Sequence, residues 1–353
     1  MMTQNNVSSS GPVNVASANE KNAFSHVDFR LLENRREWLV QWFAVCTAIG
    51  DVDPAIWAMN YLNERYEYSL EERYWFAWLY HTYHLPQAFV YKNDFPDEEL
   101  ASVERFESWT NENYSRLTYQ TDTKWSKGHL AAMYASYRDW VGDESQHSKF
   151  THIANGSPTE NFTRLWDLAT NRWYKFGRYT TYFYLQQLKH TCGLNIEPPG
   201  LFLSDYSGSK SHRNGLCFAA GKDDWVNQKL TPKEYSWLEG YGASVLFECK
   251  ERFPELAPRM DFFALETALC SAKKLWREKN GRYVGYYLDR QSEEIMKAES
   301  KKWDGIEWEV MWQARSEVVG KNFAPYRATV SKEKMGHFLQ TGQLHYYYQS
   351  LLG

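Results

Sequence analysis

At 353 residues with 43% hydrophobic side chains, the chain is long enough for one large domain or two ordinary ones. No apolar run approaches the roughly 18 residues of a membrane span, and a net charge of −4 argues against a protein that coats nucleic acid nonspecifically. The five cysteines (Cys46, Cys192, Cys217, Cys249 and Cys270) form no CxxC pair, which excludes a disulfide framework and a zinc knuckle and fits a reducing cytoplasm.

Residues 1–27 are polar, without the apolar stretch of a signal peptide, and are expected to be a disordered tail. From about Asp28, Trp38, Leu39, Trp42, Phe43 and Cys46 share one face of a first helix. Asp53-Pro54 reads as an N-cap followed by proline in the first helical position. Ser69 and Glu72 have capping-box spacing and open a third helix, and a further helix is expected over 97–113. His81 and His84 have i,i+3 spacing but no third metal ligand near them in sequence. The expected organisation is an N-terminal helical region over 28–115, packed with a helical region over 116–353 that carries the chemistry.

Two helix starts are unusually clear: Ser157-Pro158 with Glu160, and Thr231-Pro232 with Glu234, each a capping box with proline behind the cap. The first continues through Trp166, Ala169, Trp173, Phe176, Thr180 and Phe183 at helical spacing. That places Gly177 inside a helix, where glycine costs about 1 kcal/mol against alanine and needs a local reason such as a close approach, the plainer reading being a helix-packing glycine followed by a surface Arg178. A helix over 260–279 turns Phe262, Leu265, Leu269, Ala272 and Trp276 to a core. Its Glu266, Cys270, Lys273 and Arg277 form a polar stripe, most simply a solvated face with ion pairs. Segments 291–299 and 308–319 are also expected to be helical. Between 190 and 230, five glycines and two prolines interrupt any period, so a long irregular loop is expected there. The fold class is therefore mostly α with little or no sheet. The 16 Trp and 25 Tyr are chiefly core residues in this reading, with some left as stacking platforms for bases.

Charge is unevenly spread. Residues 164–222 carry eight Lys or Arg against three acids, a local +5 within a chain that is otherwise −9. This suits a directed phosphate site. At the end of the basic region stands "GSKSHRNGLCFAAG" (208–221), which crowds Lys210, His212, Arg213 and Asn214 between glycines. Lys210 and Arg213 are suited to phosphate oxygens, Arg213 bidentately. His212 can move a proton near neutral pH, and Asn214 can donate and accept together. The order of residues is not that of a Walker A loop. Arg178 follows Gly177 nearby in sequence. Other polar groupings are Asp289-Arg290 behind an aromatic cluster, and Gln120, Asp122, Lys124 and Lys127 in "QTDTKWSK". Arg315, on one helical face with Trp308 and Trp312, needs an anionic partner, either a carboxylate or a bound phosphate.

Three segments in order, "GRYTTYFYLQQL" (177–188), "SHRNGL" (211–216) and "ETALCSAKKL…YVGYYLDRQSEEI" (266–295), resemble the bacteriophage amino acid:DNA transferases, also called α-glutamyl/putrescinyl-thymine pyrophosphorylases. The resemblance runs from about Gln120 to Arg315. It implies a helical, DNA-glycosylase-like bundle and a role in phage DNA hypermodification in the infected host's cytoplasm. The implied reaction displaces pyrophosphate from pyrophosphorylated 5-hydroxymethyluracil in DNA by the amine of an amino acid or polyamine.

Under that resemblance the catalytic candidates are His212, Asp289 and Glu266, with His212 or Asp289 as the base that deprotonates the incoming ammonium. Arg178, Lys210, Arg213, Asn214, Lys273, Arg290 and Arg315 are the substrate and pyrophosphate candidates, Arg290 being suited to a donor's carboxylate. Gln120, Asp122, Lys124 and Lys127 are the DNA-contact candidates. A thiol adding to C6 of the uracil would assist pyrophosphate loss, and Cys217 stands nearest the cluster in sequence. No protein metal site and no certain cofactor is read from the sequence, while magnesium can ride on a pyrophosphate with few protein ligands. Alternative readings are a DNA glycosylase, a helical hydroxymethyluracil DNA kinase, or a noncatalytic nucleic-acid-binding protein.

Overall fold

The computed structural model describes residues 31–48, 54–118, 127–204, 210–275, 294–311 and 313–314. Among these residues every regular element is a helix, and no strand forms. In chain order they are α1 (Arg35–Ala48), α2 (Pro54–Arg65), α3 (Leu70–Thr82), α4 (Leu85–Asp94), α5 (Val103–Asn113), α6 (Lys127–Val141), α7 (Gln146–Ile153), α8 (Pro158–Arg172), α9 (Arg178–Cys192), α10 (Ser211–Ala219), α11 (Pro232–Arg252) and α12 (Phe262–Leu275). A short helical stretch follows at 294–299. Among the described residues, no helix is long and apolar enough to cross a membrane.

The helix starts follow the local chemistry of the sequence. Ser69 Oγ accepts from the Glu72 amide at 3.2 Å while Glu72 Oε2 accepts from the Ser69 amide at 2.9 Å. The same reciprocal pair closes at Ser157/Glu160 and Thr231/Glu234, each with proline in the first turn. Each satisfies amide donors that a helix start leaves without an intrahelical acceptor, a contribution of about 1 kcal/mol per cap.

Two hydrophobic cores result. The first gathers α2 to α9 with residues from 296 to 314, and is built largely from rings. Trp75 and Trp78 stack at 5.6 Å, and Phe106 meets Trp78 edge-on at 5.4 Å. The polar tips are used as well: Tyr137 Oη donates to Gln146 Oε1 at 2.8 Å, and Trp109 Nε1 donates to Asp94 at 2.7 Å. The abundance of Trp and Tyr is thus chiefly a packing feature, in which each ring pair adds roughly 0.5–1.5 kcal/mol beyond burial.

The second core joins α1 to α10, α11, α12 and the segment 201–203. Although α1 comes first in the chain, its neighbours are late elements. Trp42 Nε1 donates to the Ala268 carbonyl at 3.2 Å, Arg36 pairs with Glu248 at 2.8 Å and Arg35 with Asp223 at 2.7 Å. Helix α12 serves both cores. Phe263 packs on Tyr182 and Phe162 in the first, while Leu265, Ala268, Leu269 and Ala272 fill the second.

Three expectations change. The helix read through 158–183 is two helices: Trp173 caps the end of α8, Lys175 takes a left-handed φ of 65°, and Gly177 caps the start of α9. The apolar period ran on because Trp173 and Phe176, on either side of the break, turn into the same core with ring centres 4.9 Å apart. Gly177 is therefore neither inside a helix nor at a close approach, and a Cβ there would meet nothing within 4 Å. Secondly, the irregular stretch 190–230 contains α10. That helix is only nine residues long, carries Gly215 within it and lies between further glycines, so its run is too short to stand out as a helical period in sequence. Thirdly, the part of the polar stripe of α12 that is described is not a solvated face: Glu266 is 1% exposed and Cys270 is half-buried, while the side chain of Lys273 and all of Arg277 lie outside the described residues.

Candidate functional site

The seam between the two cores holds a buried group of charged side chains. Arg178, the first residue of α9, is 4% exposed and directs its guanidinium across the seam. Its Nη1 lies 3.4 Å from Glu266 Oε1 on α12, Nη2 donates to the Leu201 carbonyl at 2.6 Å, and Nε donates to the Phe202 carbonyl at 3.1 Å. The guanidinium also sits 4.8 Å from the Tyr182 ring centre. A buried cation is tolerable only with such partners.

The segment that Arg178 grips is clamped from its other side. Glu239 on α11 accepts from the amides of Leu201 at 3.0 Å and Leu203 at 2.6 Å. Between them Phe202 takes a φ of 54°, a left-handed conformation disfavoured for a bulky residue. Its ring packs against Trp166, tilted by 30° with ring centres 4.3 Å apart. Burial holds the Glu239 carboxyl above the ordinary glutamate range, opposed by its amide donors and by Arg178.

Glu266 also faces His212 on α10, whose Nδ1 is 3.2 Å from Oε1 of the same carboxylate. His212 is 1% exposed. Helices α10 and α12 can bring these groups together because of Gly215. A Cβ there would lie 2.3 Å from the Leu269 carbonyl oxygen, so only glycine permits the crossing. Cys270, one turn beyond Glu266, completes the cluster: one ligand-type atom from each of His212, Glu266 and Cys270 lies within 4.8 Å of the other two. Thiolate, imidazole and carboxylate together are a donor set suited to zinc. They equally suit a thiol with an imidazole held by a carboxylate.

Arg213 and Asn214 hold α10 in place, while Lys210 occupies the position before its first residue and is half-buried. Arg213 Nη1 donates to Tyr235 Oη at 3.0 Å. Asn214 forms a two-bond clasp with Asn227: Nδ2 donates to Asn227 Oδ1 at 2.7 Å, and Oδ1 accepts from the Asn227 amide at 3.1 Å. Asn227 has a φ of 62°, a conformation asparagine tolerates better than most residues. Cys217, by contrast, is fully buried in the second core, and burial pushes its thiol up to about 12. It is not the thiol of this cluster.

Of the candidates read from sequence, the structure thus brings Arg178, Glu266 and His212 into direct contact. Lys210, Arg213 and Asn214 stand on the same short helix or at its cap. Asp289, Arg290, Arg315, Gln120, Asp122 and Lys124 lie outside the described residues, as do the side chains of Lys273 and Lys127. Sequence reading missed Glu239, Tyr235 and Asn227, since nothing local marks a residue whose partner lies in another helix. Cys270 carried a signal that was set aside: it is four residues from Glu266, on the same helical face.

The family described as amino acid:DNA transferase matches residues 48–280, a span that includes the whole cluster. A curated relative, the serinyltransferase of Salmonella phage ViI, is 28% identical over 345 residues, covering 90% of this chain and 83% of its own. No solved structure matches.

Proposed function

The chain belongs to the amino acid:DNA transferases, and from that premise we propose that it hypermodifies phage DNA by displacing pyrophosphate from pyrophosphorylated 5-hydroxymethyluracil with the amine of an amino acid. Serine is the first donor to test, because the ViI relative is a serinyltransferase. The proposed setting is the cytoplasm of the infected host, where such DNA is made.

The observation that carries this reading is the shared carboxylate. Glu266 Oε1 faces both Arg178 and His212. A carboxylate held by Arg178 fixes the imidazole and stabilises its protonated form, as a general base for an incoming ammonium requires. Lys210 stands at the start of α10, where the helix dipole and the first amides favour an anion. In this reading Lys210 receives the pyrophosphate, with the Arg213 charge behind it. The target base would leave the stack to reach the seam, at a cost of a few kcal/mol that protein contacts must offset.

The test is direct. DNA bearing the activated base is incubated with the protein and a mixture of amino acids and polyamines, with and without magnesium. Pyrophosphate release is followed, and the digested nucleosides are weighed by mass spectrometry. Release with a new amine-bearing nucleoside supports the reading and names the donor. An intact activated base after incubation would sink it, and a free base or a phosphorylated hydroxymethyl group on unactivated DNA would replace it with a glycosylase or a kinase.

A further inference from the structure

We infer that Cys270 is the covalent catalyst of this reaction, its thiol adding to C6 of the activated uracil under the control of His212 and Glu266. The inference rests on the function proposed above and deepens it. A leaving group on the 5-methylene of a uracil departs sluggishly while the ring stays conjugated. A nucleophile at C6 turns the ring into an enolate that expels the group, so the chemistry calls for a thiolate beside an acid–base residue.

The structure selects which thiol. Cys46, Cys217 and Cys249 are buried in the second core, and burial raises the last two to about 12. Cys192 lies at the end of α9, where burial also pushes its thiol up to about 12. Cys270 alone among the described cysteines belongs to a cluster with an imidazole and a carboxylate. It is also the half-buried member of that cluster, while His212 and Glu266 are buried. A thiol clustered with an imidazole and a carboxylate, within 4.8 Å of each, is the arrangement of an activated nucleophile. The i,i+4 relation of Glu266 and Cys270 on α12 keeps the carboxylate and the sulfur on one face, and the Gly215 crossing brings the imidazole against them.

The steps balance. His212 takes the Cys270 proton, and the thiolate forms an S–C6 bond, moving the C5–C6 electron pair into the C4 carbonyl as an enolate. The enolate expels pyrophosphate from the 5-methylene, leaving an exocyclic methylene, and His212 hands its proton to the departing pyrophosphate. His212 then accepts a proton from the donor's ammonium. The free amine attacks the methylene carbon, which restores the enolate. The enolate reforms the C5–C6 double bond and breaks the S–C6 bond, and His212 returns its proton to the sulfur. No oxidant or reductant is needed.

The test compares the full chain with Cys270→Ser on DNA bearing the activated base. Product formation by the unmodified chain is established first, and its failure would remove the function reading together with this inference. Given product, Cys270→Ser is expected to lose at least about 100-fold in turnover. An inverse secondary isotope effect from deuterium at C6 is expected in the unmodified chain, because that carbon becomes tetrahedral. With the amine omitted and the reaction quenched in acid, peptide mapping should find the oligonucleotide joined to Cys270.

Turnover of Cys270→Ser within about threefold of the unmodified chain overturns the inference and leaves the transferase reading standing. So does an inactive variant when the unmodified chain shows neither adduct nor isotope effect, which would mark Cys270 as structural. Stoichiometric zinc that is lost in Cys270→Ser, again without an adduct, overturns it by making the thiol a metal ligand. Should Cys270→Ser not fold, alkylation rates decide: iodoacetamide should modify Cys270 of the unmodified chain before the other described cysteines, and more slowly in His212→Ala. Equal rates in the two proteins would refute the proposed activation.

Discussion

Gly215 and Leu269 touch backbone to backbone where α10 crosses α12, so closely that a methyl group on Gly215 would sit 2.3 Å from the Leu269 carbonyl oxygen. This contact sets the distance between His212, one turn earlier on α10, and Glu266, one turn earlier on α12. Gly215→Ala should therefore cost about 1–3 kcal/mol by overpacking and move the imidazole from its carboxylate. The expected result is a lower melting temperature together with a fall in turnover. A melting temperature unchanged from that of the parent would show that the helices can separate freely.

Arg178 and Glu266 link the two cores through a buried pair. Removing one partner leaves the other charge uncompensated, so Glu266→Gln should lose about 3–5 kcal/mol of stability. Arg178→Met should be comparably damaging, since it also releases the carbonyls of Leu201 and Phe202. The double variant should lose less than the sum of the two single losses, because the residues interact directly. Denaturant melts of the four proteins measure the coupling, and strict additivity would mean that the pair contributes nothing through its contact.

Asn214 is held by Asn227 through two hydrogen bonds. Asn214→Ala deletes both inside the protein, and the expected loss is about 1–3 kcal/mol. If the role of Asn214 is to seat α10, the variant should lose stability with little change in the KM for the donor amine. A large rise in that KM with normal stability would instead put the amide in contact with substrate.

Glu239 gives a pH-dependent prediction. Burial raises its folded-state pKa above the ordinary glutamate range. The folded chain thus binds this proton more tightly than the unfolded chain, so the group's contribution to stability is full below the ordinary range and is lost as pH rises through the raised value. The melting-temperature difference between Glu239→Gln and the parent should therefore shift in favour of the variant from about pH 4 to about pH 7. A difference independent of pH would show that Leu201 and Leu203 fully compensate the buried carboxylate.

The site was only partly legible before the fold was known. The crowding of Lys210, His212, Arg213 and Asn214 marked the right segment, but not its form. A nine-residue helix with a glycine inside it and glycines on both sides gives too short a period to read, so α10 looked like loop. Glu266 was visible as a polar residue of α12, yet its solvated reading reversed once α10 and α9 closed over it. Cys217 drew attention through nearness in sequence, whereas the thiol near His212 in space is Cys270, 58 positions further along the chain.

What the sequence determined by itself was local: the helical class, the capped starts at Ser69, Ser157 and Thr231, and the family resemblance carried by three ordered segments. Caps and periods act within a few residues, so they are written in consecutive letters. The tertiary structure alone decided which charges meet. Arg178, His212 and Glu266 come from three helices, and their convergence depends on the break before Gly177 and on the missing side chain of Gly215. Burial then raises the Glu239 carboxyl, and it makes each partner of the Arg178–Glu266 pair costly to remove. Those effects depend on how much protein surrounds a group in space, which neighbouring letters in the chain do not encode.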